Sequence, residues 1–295
     1  MIYTVRHVTR YDYGSPVDLG AHLLHLRPRD LSWQTVLHAT LTADPPATRL
    51  DRGTDCFGNA VDWLYLDAPH PSFEVTLEAR VRVGAPAPPA PAETPAWGAV
   101  AAAAFAGRTA GFEAAEFLFD SPMIATIAEA RDYTARSFTP ERPILDGLLD
   151  LNARIRRDFE YRSGVTNVNT PVRQVLAQRA GVCQDFAHLM IAGLRALGLP
   201  ARYVSGYIRT YAAPGTKRRP GCDQSHAWVG AWLGPAHGWI DLDPTNGLVV
   251  ADEHVVLGWG RDYSDTCPVR GVILGGGRHR LSGGVDLVPE EEGWG

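Results

Sequence analysis

The chain has 295 residues and a formal net charge of −5, with 28 Lys and Arg set against 33 Asp and Glu. At 45% hydrophobic and 21% charged residues it can bury the core of one large domain or two modest ones. The acidic balance excludes the broad positive field of a nucleic-acid-binding domain. MIYTVRHVTRYDYG has no basic segment leading into an apolar run of signal-peptide length, and no later stretch approaches the roughly 18 apolar residues of a membrane span. A cytoplasmic protein without nucleic-acid or membrane partners is expected.

The first part reads as strands. In SFEVTLEARVRV, residues 72–83, Phe73, Val75, Leu77, Ala79, Val81 and Val83 alternate with Glu74, Thr76, Glu78, Arg80 and Arg82, the pattern of a half-buried strand. IYTVRHVT, TVLHATLTA and AVDWLYLD are shorter runs of the same character, separated by turn-like DRGTD and DAPHP. Together they predict an antiparallel sheet or sandwich, an N-terminal β domain over residues 1–83.

GAPAPPAPAETPAW is rich in Pro and Ala and predicts an extended, semi-rigid connector, taken as 84–110, before a second domain over 111–295. There Leu145, Leu148, Leu149, Ile155 and Phe159 fall at helical spacing, with Leu151 off that stripe. A further helix is expected in NTPVRQVLAQRAG, with Thr170 as N-cap, Pro171 at the first helical position and Gly181 as the stop. Another starts near Cys183, burying Phe186, Leu189, Met190, Leu194 and Leu197, and ends at Gly198-Leu199-Pro200. Strands follow at ARYVSGYIRTY, HAWVGAWL and GWIDLD, so the second part is helices followed by sheet, an α+β arrangement.

Four cysteines, Cys56, Cys183, Cys222 and Cys267, are too scattered for a disulfide scaffold or a CxxC pair and are expected to be mostly reduced thiols. Cys183 opens a predicted helix, where free backbone N–H groups and the dipole favour a thiolate; a small buried hydrophobe is the plain alternative. His226 stands at the head of a strand, where an imidazole could take the thiol proton and return it to a leaving amine. Asp243 ends the next strand before Pro244 and could orient that imidazole; Asp241, two residues earlier on the same face, competes for the role. A helix-borne Cys followed by strand-borne His and Asp is the order of papain-like sites.

At these residues the sequence resembles the transglutaminase-like superfamily, through GVCQDFAHLMIAGLRALGLPARYVSGY, SHAWVGAW and GWIDLDPTNG. More narrowly it is similar to bacterial transglutaminase-like proteins with their own N-terminal domain, through HVTRYDYGSPV, LHLRPRD, CFGNAV and GRDYSDTCPVRGV. The resemblance implies an antiparallel β-sandwich-like N-terminal domain followed by a papain-like α+β core with Cys183, His226 and Asp243 as catalytic triad, hydrolysing a peptide or peptide-like amide as a thiol protease or amidase, with amine transfer as the second choice. It also implies companion proteins of an ATP-grasp ligase-type gene cluster as partners. Gln184 and Asp185 follow Cys183 and no EF-hand-like loop occurs, so the calcium dependence of the animal enzymes is not expected, nor any cofactor.

Tyr161 and Gln224 are candidates for a second oxyanion donor beside the Cys183 backbone N–H. Trp228, Trp232 and Trp239 are candidates to wall the cleft, and Lys217, Arg218 and Arg219 form a basic loop. Two rival readings stand beside the enzyme: a zinc site of Cys183, His188, Cys222 and His226, and a scaffold protein that retains the fold.

Overall fold

The computed structural model describes residues 1–84, 87–106, 112–211, 221 and 224–291. The chain opens with a sheet built from β1 (Ile2–Leu24), β2 (Gln34–Asp44), β3 (Arg49–Thr54), β4 (Ala60–Leu66) and β5 (His70–Val83), in the order β2-β5-β1-β4-β3. β5 alternates as the sequence predicts, with Phe73, Val75, Leu77, Ala79, Val81 and Val83 all buried. The sandwich-like shape comes from curling. β1 pairs with β5 up to Asp12 and again at Val17, and with β4 only from Gly20 on, its register with β5 broken between Asp12 and Val17. Gly14 and Pro16 fall in that break, where a residue without an N–H and one without a Cβ loosen the ladder.

Helices dominate the middle of the chain: α1 (Trp97–Phe105), α2 (Phe112–Ala115), α3 (Ala128–Ala135) and α4 (Ile144–Asp158). β6 (Glu160–Tyr161) then leads through α5 (Val172–Gln178) to β7 (Ala180–Gly181), and α6 (Cys183–Ala196) follows. α1 lies within the segment expected to be an extended connector. Pro density ends at Pro95, and the Ala run behind it is strongly helix-favouring, burying Val100 and Ala104 in the core. In α4 the buried stripe is Leu145, Leu148, Leu151 and Ile155; Leu151 belongs to it, and Leu149 is the half-buried residue.

α5 begins one residue later than expected, with extended Pro171 in the cap position. The Thr170 hydroxyl instead accepts from the Asn167 N–H at 2.9 Å. Arg179, with φ 54°, takes the left-handed C-terminal position, and Gly181 pairs with Tyr161 in the short β6–β7 ladder.

The second sheet contains β8 (Ala201–Ile208), β9 (Gln224–Trp232), β10 (Trp239–Asp243), β11 (Leu248–Val249) and β12 (His254–Gly260), ordered β11-β10-β9-β8-β12 and antiparallel throughout. One face packs Ala201, Ala227, Val229 and Ala231 against α6, which is buried nearly all round. The other face carries Arg202, Val204, His226, Trp228, Asp241 and Asp243, two-residue alternation assigning each side.

After α7 (Tyr263–Thr266) the chain returns to the first sheet. β13 (Val269–Gly275) lies against Val17–Leu24 of β1, and β14 (His279–Pro289) against Tyr3–Tyr13. Residues grouped with the second domain in sequence thus cover the open edge of β1, whose unpaired backbone groups would otherwise template association. Tyr207, Val255 and Leu257 of the second sheet join the apolar core of the first, so the two sheets share a seam, crossed by a 2.8 Å bond between His7 Nδ1 and the Tyr207 hydroxyl.

Candidate active site

Cys183 is half-buried at the first residue of α6. The turn before it is held by Asp185, whose Oδ2 accepts the Val182 N–H at 2.8 Å and the Thr166 hydroxyl at 2.7 Å. A Cβ on Gly181 would stand 2.7 Å from that same oxygen, so glycine is required for the carboxylate to fold back over the helix start. Gln184 Nε2 donates to the Val168 carbonyl at 2.9 Å, tying the preceding loop to the same point. The thiol therefore sits on a fixed helix N-terminus, where unpaired N–H groups favour an anion.

His226 is 6% exposed on β9, and Asp243 is fully buried at the end of β10. His226 Nε2 lies 2.8 Å from Asp243 Oδ2. The ring also interacts with Cys183, a contact that falls to Nδ1 because Nε2 is committed to the carboxylate. Burial works against the imidazolium, but the Asp243 hydrogen bond and Cys183 outweigh it and lift the His226 pKa to about 10. Burial likewise opposes ionised Asp243, yet hydrogen bonds from His226, His254 and Asn246 hold its carboxyl far below the ordinary range. Its Oδ1 also accepts the backbone N–H groups of Thr245 and Asn246, at 2.9 and 3.2 Å.

Asp241 shares the face of Asp243 but serves other partners. Its Oδ2 accepts the Trp228 Nε1–H at 3.1 Å and its Oδ1 is 3.7 Å from Arg202. The structure brings Asp243, not Asp241, to His226.

Two further residues that the sequence patterns above do not single out also reach Asp243. Asn246 donates from Nδ2 to Asp243 Oδ2 at 2.7 Å, and His254 Nε2 lies 3.4 Å from the same oxygen. Asn246 was open to inference as a turn residue three after the carboxylate; His254, at the head of β12, has no local pattern to mark it.

Of the candidate oxyanion donors, Tyr161 is 42% exposed and near enough to Cys183 to feel its charge; its phenol pKa is raised, by burial first and Cys183 second. The β6–β7 ladder sets it opposite Gly181, two residues before the cysteine. The Gln224 side chain, the basic loop of Lys217, Arg218 and Arg219, and Cys222 lie outside the described residues. Of the tryptophans, Trp228 is fully buried with its ring centre 6.1 Å from that of His226, Trp232 packs in the α6-side core, and Trp239 lies against Arg202 and Phe117.

His188 of the zinc reading accepts the Tyr263 N–H on Nε2 at 3.3 Å, and burial pushes its pKa down to about 4. Among the described residues, the ligand atoms that approach one another as a cation site would require belong to His226, Asp243 and His254, within 4.8 Å. The hydrogen bonds between these same atoms account for that arrangement with protons alone.

The α+β fold thus sets a half-buried thiol on a helix N-terminus near an imidazole and a buried carboxylate carried by adjacent antiparallel strands. Residues 3–82 match the bacterial transglutaminase-like N-terminal region and residues 131–244 the transglutaminase-like superfamily core. The chain belongs to the transglutaminase-like superfamily. An uncharacterized protein of Mycobacterium tuberculosis is 40% identical over 98% of this chain and 93% of its own length. A candidate cysteine protease from Cytophaga hutchinsonii shares the fold, with a TM-score of 0.73, 23% identity and coverage of 98% of this chain and 90% of its own. A protein-glutamine gamma-glutamyltransferase of Pseudomonas aeruginosa is 40% identical over 27% of this chain and 12% of its own length.

Proposed function

We propose that the protein is a cysteine-dependent amide hydrolase acting on peptide or peptide-like substrates, with Cys183 as nucleophile, His226 as general base and acid, and Asp243 as the group that orients and charges His226. The observation that carries this reading is His226 held between buried Asp243, at 2.8 Å, and the helix-borne Cys183. The thiolate attacks the amide carbonyl carbon, and the negative charge moves to the oxygen, which the Cys183 backbone N–H is placed to receive. The imidazolium then gives its proton to the leaving amine as the C–N bond breaks, leaving a thioester. Water, deprotonated by the now neutral His226, attacks the thioester and releases acid and thiol. Asp243 remains ionised through both halves and keeps Nε2 protonated.

Transfer to an amine in place of water is the second reading, favoured by the Pseudomonas relative named as a glutamyltransferase. The two differ only in the second nucleophile. A reducing cytoplasm suits a site that depends on a free thiol. Companion proteins encoded in an ATP-grasp ligase-type cluster, which build peptide-like bonds, are fitting sources of substrate.

The test uses an acyl donor with a good leaving group, such as the p-nitrophenyl ester of an N-blocked amino acid. Intact-mass spectrometry should show one acyl group on the wild-type chain, released by water or hydroxylamine, and none on Cys183→Ala. Product from added lysine amide in excess of free acid would turn the assignment to transfer. No adduct, with Cys183 no more reactive than Cys56, would leave a scaffold role.

A further inference from the structure

The first sheet buries one face in the apolar core and turns the other to solvent. Beyond the break in β1, four strands share that outer face, and their registers set the side chains in rows. Leu23 of β1 stands opposite Arg270 of β13 on one side and Trp63 of β4 on the other, and Trp63 stands opposite Asp51 of β3. The next row runs Val272, Ala21, Tyr65 and Arg49 in the same strand order, and beyond it Leu274 lies opposite Leu19. Residues opposite one another in an antiparallel ladder share a face. The intervening Leu24, Leu64 and Leu66 are buried on the other.

This face is more apolar than a solvated sheet requires. Leu19, Trp63, Tyr65, Val272 and Leu274 are 36–76% exposed, which for side chains of this size leaves about 500 Å² of apolar surface, the extent that marks an interaction site. An open groove of about 250 Å³ runs between them, lined by Leu23, Trp63, Tyr65 and Val272, with space left where Ala21 is small. Among the described residues no strand lies beyond β13 or β3, so the sheet itself covers neither margin.

Charge is confined to those margins, Arg270 on the β13 side and Asp51 on the β3 side of one row. Asp51 is paired with Arg49 at 2.7 Å, but the two side chains are 41% and 70% exposed. Such a pair is weak in water and leaves the carboxylate open to a second guanidinium.

A twofold axis in the plane of this face, parallel to the strands and midway between β1 and β4, lays one copy on another with the strand order reversed. β13 then faces β3 of the second copy, and β1 faces its β4. Arg270 meets Asp51 of the second copy, Leu23 meets its Trp63, and the space above Ala21 receives its Tyr65. Val272 meets the apolar stem of Arg49, whose guanidinium leans over the Tyr65 ring at 5.6 Å. Each contact is made twice, so a row with opposite charges at its two ends is complementary to itself.

We propose that this outer face is the interface of a homodimer, two copies packing sheet on sheet in the aligned manner of a β-sandwich, with Arg270 of each paired to Asp51 of the other. About 1,000 Å² of apolar surface leaves water over the two copies, with the charged margins in addition, which is the lower bound for a specific interface and corresponds to association in the micromolar range. Nothing in it depends on Cys183, so the dimer and the proposed hydrolysis stand or fall separately.

Sedimentation velocity of the full chain between about 1 and 100 μM tests it. Wild type should pass from monomer to dimer across that range. Val272→Lys, at a 76% exposed position, should weaken association about tenfold or more with an unchanged melting temperature; if it fails to fold, Leu274→Lys decides. Asp51→Arg and Arg270→Asp should each weaken the dimer about tenfold by setting like charges opposite one another, and the double exchange should return it to within about threefold of wild type. A chain that stays monomeric at about 100 μM, assembly beyond a dimer, indifference to the lysine variant or to the single exchanges, or a double exchange that does not rescue would each overturn the assignment.

Discussion

Asp243→Asn preserves side-chain volume while removing the charge that faces His226. Asp243 Oδ2 takes the His226 Nε2–H at 2.8 Å and the Asn246 Nδ2–H at 2.7 Å, with His254 Nε2 at 3.4 Å. An amide there cannot accept from all of these at one atom, and its own NH2 would face other donors. A hydrogen bond between charged groups contributes about 1.5–3 kcal/mol, and each pKa unit is worth about 1.4 kcal/mol, so its loss lowers the His226 pKa by about 1–2 units. Loss of the through-space charge adds to this, and burial, which opposes the imidazolium, is then no longer outweighed. The assay is 15N-detected NMR titration of the histidine rings, with His226 assigned by its absence from His226→Gln. Wild-type His226 should titrate well above pH 8, and Asp243→Asn below it. Asp241→Asn, which touches Trp228 and Arg202 instead, should leave the titration near wild type. An unchanged His226 in Asp243→Asn, or the drop in Asp241→Asn instead, would refute the reasoning.

Other expectations follow from neighbouring contacts. His254→Gln should slow Cys183 alkylation several-fold at pH 6 with little change in melting temperature, because it frees one side of Asp243; rates equal to wild type would make His254 a packing residue. Asp185→Ala removes the acceptor of the Val182 N–H and the Thr166 hydroxyl and should cost about 1–3 kcal/mol, read by urea unfolding. Gly206→Ala would put a Cβ 2.2 Å from the Val255 carbonyl and 2.3 Å from Trp228. Backbone and a buried indole cannot yield there, so melting should fall by several degrees or more. His226 has a folded pKa of about 10 against an ordinary 6.5. Its contribution to stability is therefore full below pH 6.5 and lost as pH climbs towards 10; Asp243, depressed, contributes above the ordinary carboxylate range and loses this as pH falls. Melting temperature measured from pH 7 to 10 should fall less in His226→Gln than in wild type.

Local pattern carried the elements whose burial is decided locally. The alternation of β5 needs only its own residues, and so does the spacing of Phe186, Leu189, Met190 and Leu194 that carries α6. The carboxylate was harder: Asp241 and Asp243 share a face by alternation, and their separation depends on Trp228 and Arg202, neither of which the spacing connects to them. Strand partners were out of reach for the same reason. β13 and β14 fall in the stretch that the sequence groups with the second domain, and only the open edge of β1, more than 240 residues away in sequence, decides where they pair. His254 and the rows across β13, β1, β4 and β3 are likewise assembled from distant segments. α1 is masked in the sequence because the Pro-rich composition that predicts an extended connector stops at Pro95 and gives way to an Ala run with the opposite propensity.

The central claim is that Cys183 and His226 form a reactive pair, and the pH dependence of Cys183 alkylation tests it most directly. Iodoacetamide labelling, followed by intact mass and peptide mapping, is run from pH 5 to 9 on wild type and His226→Ala, with Cys56 as internal reference. The account predicts rapid labelling of Cys183 down to about pH 6, well ahead of Cys56, with that advantage gone in His226→Ala. Labelling of Cys183 that rises only near pH 8.5 in both proteins, as for an ordinary thiol, would contradict it.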